Sequence, residues 1–108
     1  MKMKQLTSIE EMNEFVKQSG THFLFKHSTT CPISAKAYDE FQAFVSDSDT
    51  SASVVYVIEH RIVSNQIADD FDIKHESPQV FLLEDGHVKW HTSHWKITKN
   101  ALGEAFSS

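Results

Sequence analysis

A chain of 108 residues, 40% hydrophobic and 23% charged, has the size and composition of one soluble globular domain, residues 1–108, built around a single core. Its formal net charge of −5, with no cluster of Lys and Arg, argues against nucleic acid and against anionic membrane surfaces as partners. One cysteine excludes an internal disulfide and suits a reducing cytosol, so the expected location is cytoplasmic.

The amino-terminal stretch Met1-Lys2-Met3-Lys4-Gln5 is charged and no apolar h-region follows it, so no signal peptide is expected. The longest apolar run, Val54 to Ile58, is far too short to span a bilayer. Thr7 or Ser8 can cap a first helix, since Glu10 and Glu11 stand three positions on and complete a capping box in either register. Ile9, Met12, Phe15 and Val16 then share one face, and Gly20 ends the segment. His22 to Lys26 reads as a short strand, apolar through Phe23-Leu24-Phe25 as expected when both faces are covered.

That strand delivers the chain to Ser28-Thr29-Thr30-Cys31-Pro32-Ile33-Ser34. Pro32 fits the first helical position, where its missing N–H costs nothing, so Cys31 should stand at a helix N-terminus. The free N–H groups and dipole there stabilise an anion, and a thiolate is one. Ile33, Ala37, Tyr38, Phe41, Phe44 and Val45 keep helical spacing to about Val45, and Asp47 to Ser51 is a polar loop. Val54 to Ile58 is β-branched and bounded by polar residues, which predicts a central strand.

Ile62 to Phe71 returns to the helical period. After Pro78, Val80 to Leu83 is a strand, Asp85-Gly86 a two-residue hairpin turn and Val88 to Thr92 the returning strand. Thr98 can cap a last helix carrying Ala101, Leu102, Ala105 and Phe106, with Gly103 a weak point inside it. The order predicts an α/β protein with a mixed four-stranded sheet flanked by helices: the first two strands parallel, the last two an antiparallel hairpin. A cysteine at a strand-to-helix junction and a proline before the third strand are the pattern of the thioredoxin fold.

In that fold the third strand runs antiparallel to the first, which brings Pro78 to the Cys31 edge. Two readings of Pro78 stand: a cis Ser77-Pro78 bond that turns the Ser77 backbone toward the sulfur, or a trans proline opening an edge strand. The returning strand ends at the same edge, so Thr92, Ser93, His94 and Trp95 should border a pocket suited to a small polar ligand; the alternative is that Trp95 packs under the last helix. Trp90 and His91 should face opposite sides of the sheet. The seven histidines stand singly, with no helical i, i+4 pair and no Cys-x-x-Cys partner, so no metal site is expected. His27 and His75 are the two expected nearest Cys31, where either could stabilise a thiolate or simply pack.

Thr29-Thr30-Cys31-Pro32 resembles the active-site approach of glutaredoxins, with Ser34 where a second redox cysteine would stand. The position six before Cys31, an acid in many thioredoxins, is Phe25, and both departures exclude dithiol thioredoxin chemistry. Over most of its length the chain resembles the YtxJ-type monothiol bacilliredoxins of low-GC Gram-positive bacteria. The matching stretches are Phe25 to Ser28 leading into Thr30-Cys31-Pro32-Ile33-Ser34, Lys74 to Gln79 around Pro78, and Trp90 to Thr98.

The resemblance implies a thiol–disulfide oxidoreductase that removes bacillithiol from protein mixed disulfides. Cys31 would be its nucleophile, with Thr30, Pro32 and Ser34 around it and Ser77, Pro78, Ser93, His94 and Trp95 binding the thiol. Bacillithiol would be a co-substrate with no tightly bound cofactor, and a separate bacillithiol disulfide reductase would recycle it. Ser34 cannot resolve the adduct; it would hydrogen-bond the sulfur or lie exposed in the first helical turn. Two other classes fit a lone Cys31. A glutaredoxin-like module would hold an iron–sulfur cluster between two chains, although Pro32 replaces the usual Gly. An inert thioredoxin-like interaction domain would carry an unactivated thiol.

Overall fold

The computed structural model describes residues 3–108; Met1 and Lys2 of the charged amino-terminal stretch lie outside them. Five strands form one mixed sheet: β1 (Met3–Gln5), β2 (Thr21–His27), β3 (Ser51–Tyr56), β4 (Gln79–Glu84) and β5 (His87–Ser93), in the spatial order β1-β3-β2-β4-β5. The expected four-stranded sheet is thus extended by β1, which pairs in parallel with β3 from Met3↔Ala52 to Gln5↔Val54. Three residues at an edge show no periodicity of their own; the strand exists because β3 offers it an unpaired edge.

The helices are α1 (Ile9–Lys17), α2 (Pro32–Ser48), α3 (Arg61–Phe71) and α4 (Lys99–Ser107). Ser8 is the cap chosen for α1: its Oγ accepts the Glu11 N–H at 3.1 Å, while the Glu11 carboxylate reaches back to the Thr7 N–H and hydroxyl, each at 2.8 Å. α2 runs three residues past Val45 and ends on Asp49, in the left-handed conformation. Thr98 caps α4 by accepting the Ala101 N–H at 3.0 Å.

β2, not the Val54 segment, is the central strand, parallel to β3 and antiparallel to β4. The second of the expected strands, over Val54–Ile58, lies instead over Ser51–Tyr56 as β3, because Val57 leaves the sheet once its N–H has bonded the His27 carbonyl at 2.9 Å. Period-two alternation sorts the side chains into two cores. Phe23, Phe25, Val80 and Leu82 meet Phe41, Phe44, Val45 and Leu102 on the α2/α4 face, and Leu24, Phe81 and Leu83 meet Met12, Phe15, Val63 and Ile67 on the α1/α3 face. Each such large apolar side chain, fully buried, contributes roughly 1.5–3 kcal/mol.

Asp85 and Gly86 both take positive φ, 50° and 86°, which a two-residue hairpin turn demands and glycine tolerates without penalty. The turn is tied to the end of the α1 segment: the Gly20 N–H donates to Asp85 Oδ1 at 2.7 Å and the Asp85 N–H to the Gly20 carbonyl at 3.0 Å. Just beyond it the register slips so that Lys89 has no partner between Val88 and Trp90. That bulge sends Val88 to the α1/α3 core and Trp90 to the α2/α4 core, with His91 on the face opposite Trp90, 6.2 Å from the Phe81 ring. Among the described residues no helix is long and apolar enough to cross a membrane.

Candidate active site

β2 ends at His27 and α2 begins at Pro32, and Cys31 is the N-cap between them, extended at φ −109° and ψ 120° and half-exposed. A turn brings it there, with the Cys31 N–H donating to the Ser28 carbonyl at 3.3 Å; the helix then starts with the Ala35 N–H on the Cys31 carbonyl at 3.0 Å. The first turn of α2 contains no acidic residue, so no carboxylate of its own competes for the positive end of the helix. Thr30 and Pro32 flank the sulfur and are exposed, with the Thr30 hydroxyl 3.3 Å from that of Ser28.

Ser34 departs from both expectations. It neither bonds the sulfur nor lies exposed: it is fully buried, its Oγ accepting the Ser28 N–H at 2.9 Å and standing 2.7 Å from His27 Nδ1. The rotation of α2 against β2 turns this first-turn position inward, toward the polar end of the strand. Burial pushes the His27 pKa down against the opposing pull of Glu59 and Asp39, so near neutral pH the ring is uncharged and shares a hydrogen bond with the Ser34 hydroxyl. His27 stacks on Tyr38 with ring centroids 4.3 Å apart. Burial, with a hydrogen bond from the Tyr38 hydroxyl to Tyr56, pushes the Tyr38 pKa up to about 12. The Cys31 loop therefore rests on a closed, neutral platform of His27, Ser34 and Tyr38.

The loop before β4 supplies the opposite wall. The Ser77-Pro78 bond is cis, and Pro78 is buried. The register Lys26↔Gln79↔Ser93 sets Pro78, His27 and His94 at one end of the sheet. His94, at φ 55°, donates its N–H to the Pro78 carbonyl at 3.1 Å, and its Nε2 lies 3.4 Å from Glu76 Oε1. Buried Gln79 folds the same loop, donating to the Lys74 carbonyl at 3.1 Å and accepting the Glu76 N–H at 3.3 Å. Trp95 does not pack under the last helix: it is 68% exposed and flanks a groove of about 130 Å³ whose other wall is Ile33 and Lys36 of α2. Thr92, Ser93 and His94 line a second hollow on the other side of the tryptophan.

His75 does not join the sulfur. Its Nδ1 is 3.1 Å from Lys26 Nζ and 3.4 Å from Ser64 Oγ, on the α1/α3 side of the sheet. Alternation along β2 dictates this, since Lys26 must face away from His27. Among the described residues no group of three or more His, Cys, Asp or Glu is placed to hold a metal. Lys26, Tyr38 and Gln79 were not singled out by sequence. Tyr38 stood there as a helical core position, and Lys26 and Gln79 only as members of the stretches that match the bacilliredoxins.

The geometry has relatives. Residues 4–102 match the family model of the monothiol bacilliredoxin BrxC. The chain belongs to the monothiol bacilliredoxin family. A solved thioredoxin-fold structure proposed to be an oxidoreductase is 36% identical to this bacilliredoxin, with a TM-score of 0.92 over 96% of this chain and 93% of that one. Mitochondrial thioredoxin 3 from Saccharomyces cerevisiae, at 16% identity, superimposes with a TM-score of 0.76 over 97% and 93% of the two chains. Thioredoxin from Trypanosoma brucei brucei, at 9%, does so with 0.80 over 98% and 88%. The last two speak for the fold alone. As a bacilliredoxin with one thiol, the chain is a thiol–disulfide oxidoreductase.

Proposed function

We propose that the chain, acting as one unit over residues 1–108, removes bacillithiol from oxidised protein cysteines in the cytoplasm. The Cys31 thiolate attacks the bacillithiol sulfur of a protein mixed disulfide. The S–S bond between the substrate cysteine and bacillithiol breaks, the substrate leaves as thiolate, and a Cys31–bacillithiol disulfide remains. A second bacillithiol thiolate attacks that adduct, releasing bacillithiol disulfide and restoring Cys31; a separate reductase returns the disulfide to two thiols. Ser77 and Pro78 on one side, and Ser93, His94 and Trp95 on the other, bind the small thiol, while Thr30, Pro32 and Ser34 shape the Cys31 loop.

One observation carries this reading: the position of a resolving cysteine is Ser34, turned inward and bonded to His27 and Ser28, in a chain whose only cysteine is Cys31. The exposed flank of Trp95 supports a small polar thiol as the resolving partner. Incubation with a bacillithiolated protein should restore its free thiol with wild-type chain and leave it blocked with Cys31→Ser. Equal activity in the two would overturn the mechanism.

A further inference from the structure

Lys26 is the one lysine within the apolar run of β2, and it is completely buried. Its Nζ lies 5.9 Å from the centre of the Phe81 ring, and among the described residues it forms no ion pair with a carboxylate. Its hydrogen-bond partner is His75 Nδ1 at 3.1 Å, and that imidazole is exposed, so it lies as a cover between the amine and solvent. A lysine nitrogen has only protons to offer, so Nδ1 must be the acceptor and the ring must be the neutral tautomer protonated on Nε2.

The groups facing His75 all bear on its charge. Burial, Lys26 and Arg61 disfavour the imidazolium, Glu76 alone favours it, and the Ser64 hydroxyl is 3.4 Å from the same nitrogen. His75 is also two residues before Ser77, and its neighbour Glu76 contacts His94. What holds His75 therefore holds the loop that borders the thiol.

We propose that Lys26 and His75 form a pH-sensitive latch on the loop carrying Ser77 and Pro78, closed while His75 is neutral and released when its protonation sets two cations against each other. Lys26 is thus a positioning residue for the reaction at Cys31; it is not one of the reacting groups. Burial brings the Lys26 pKa down to about 8, so at neutral pH the amine is still largely charged and a donor. Its cover opens from the acid side, as His75 gains a proton and loses its acceptor. The latch deepens the reading of Cys31 as a bacillithiol carrier, and rests on it for its substrate.

The test compares wild type, Lys26→Met and His75→Gln as full-length chains. Gln keeps an acceptor but cannot titrate. Proton NMR of the His75 ring should show its pKa rise in Lys26→Met, and an unchanged value overturns the latch. Transfer from a bacillithiolated protein should fall by roughly fivefold more in wild type than in His75→Gln between pH 7.5 and 5.5, the lower end of ordinary coupling between sites; the ratio cancels titration of the sulfur itself. An equal fall in both overturns the proposal. Lys26→Met should be slower yet melt higher, because it removes an uncompensated buried charge; a slower variant that melts lower makes Lys26 merely structural and also overturns it.

The same profile is measured with dithiobis(nitrobenzoate). If that disulfide reacts with the predicted signature while bacillithiolated protein does not react, the substrate reading fails and the latch stands. If bacillithiol is transferred without the signature, the latch alone fails.

Discussion

Lys26 and His27 are neighbours on one strand, both pushed by burial toward their neutral forms, but the regions they enter are built differently. His27 meets a finished environment: Ser34 satisfies Nδ1, Tyr38 stacks on the ring, and Phe25 and Tyr56 close the sides. Lys26 meets Phe81, one hydroxyl-backed imidazole and no carboxylate among the described residues. The first region is a platform that fixes the Cys31 loop against α2. The second is a single contact that holds the loop before Pro78. In the proposed reaction the site releases a product and admits a second thiol, which needs one wall fixed and gains from one wall that can move.

The largest effect should come from breaking the platform. Phe25 stacks on Phe41 at 4.8 Å and touches the rings of Tyr38 and His27, so Phe25→Ala should cost about 3–5 kcal/mol in a urea unfolding series. A loss below about 1 kcal/mol would mean that the aromatic cluster does not carry the platform.

The Lys26 side should announce itself through pH. Its folded pKa of about 8 lies below the ordinary 10.5, so below pH 8 both folded and unfolded chains hold the proton and the folded chain bears the full desolvation cost. Between pH 8 and 10.5 the folded state releases its proton first, so stability should rise, by something on the order of 3 kcal/mol. Tyr38, with its pKa raised from 10.0 to about 12, opposes the trend above pH 10, so the clean window is pH 8 to 10. Denaturant midpoints in that window should climb for wild type and stay level for Lys26→Met. A climb that survives the substitution would assign it to another group.

Smaller still is Ser34→Ala, which strips the Ser28 N–H and His27 Nδ1 of their shared partner inside the protein. It should cost about 1–3 kcal/mol while leaving the thiol in place. The check is a melting curve beside the rate of Cys31 alkylation: stability should drop, with Cys31 still reactive. A Cys31 that no longer reacts would make Ser34 part of the chemistry.

Much of the frame was legible in the residues because the signals were local. Phe23-Leu24-Phe25, the Asp85-Gly86 turn and the caps Ser8 and Thr98 each act within a few positions, and all formed as their chemistry required. Cys31-Pro32 was legible for the same reason, a proline at the first helical position fixing the cysteine as N-cap. What escaped depended on distant parts. The strand Met3–Gln5 needed the free edge of β3, and the inward turn of Ser34 depended on how α2 rotates against β2. Lys26 ended an apolar run, and nothing local to it marked its contact with His75, 49 residues away. His75 was expected near the sulfur, and strand alternation sent its partner Lys26 to the other face.

The central claim is that Cys31 is half of a redox couple whose other half arrives as a ligand. Its most direct test is the mass of the chain after mixing with a bacillithiolated protein in the absence of free bacillithiol. The account predicts one bacillithiol per chain, on Cys31, matched by an equal release of substrate thiol, stable until free bacillithiol is added and then lost as bacillithiol disulfide. A substrate restored with no adduct on Cys31, or an adduct that free bacillithiol does not remove, would contradict it.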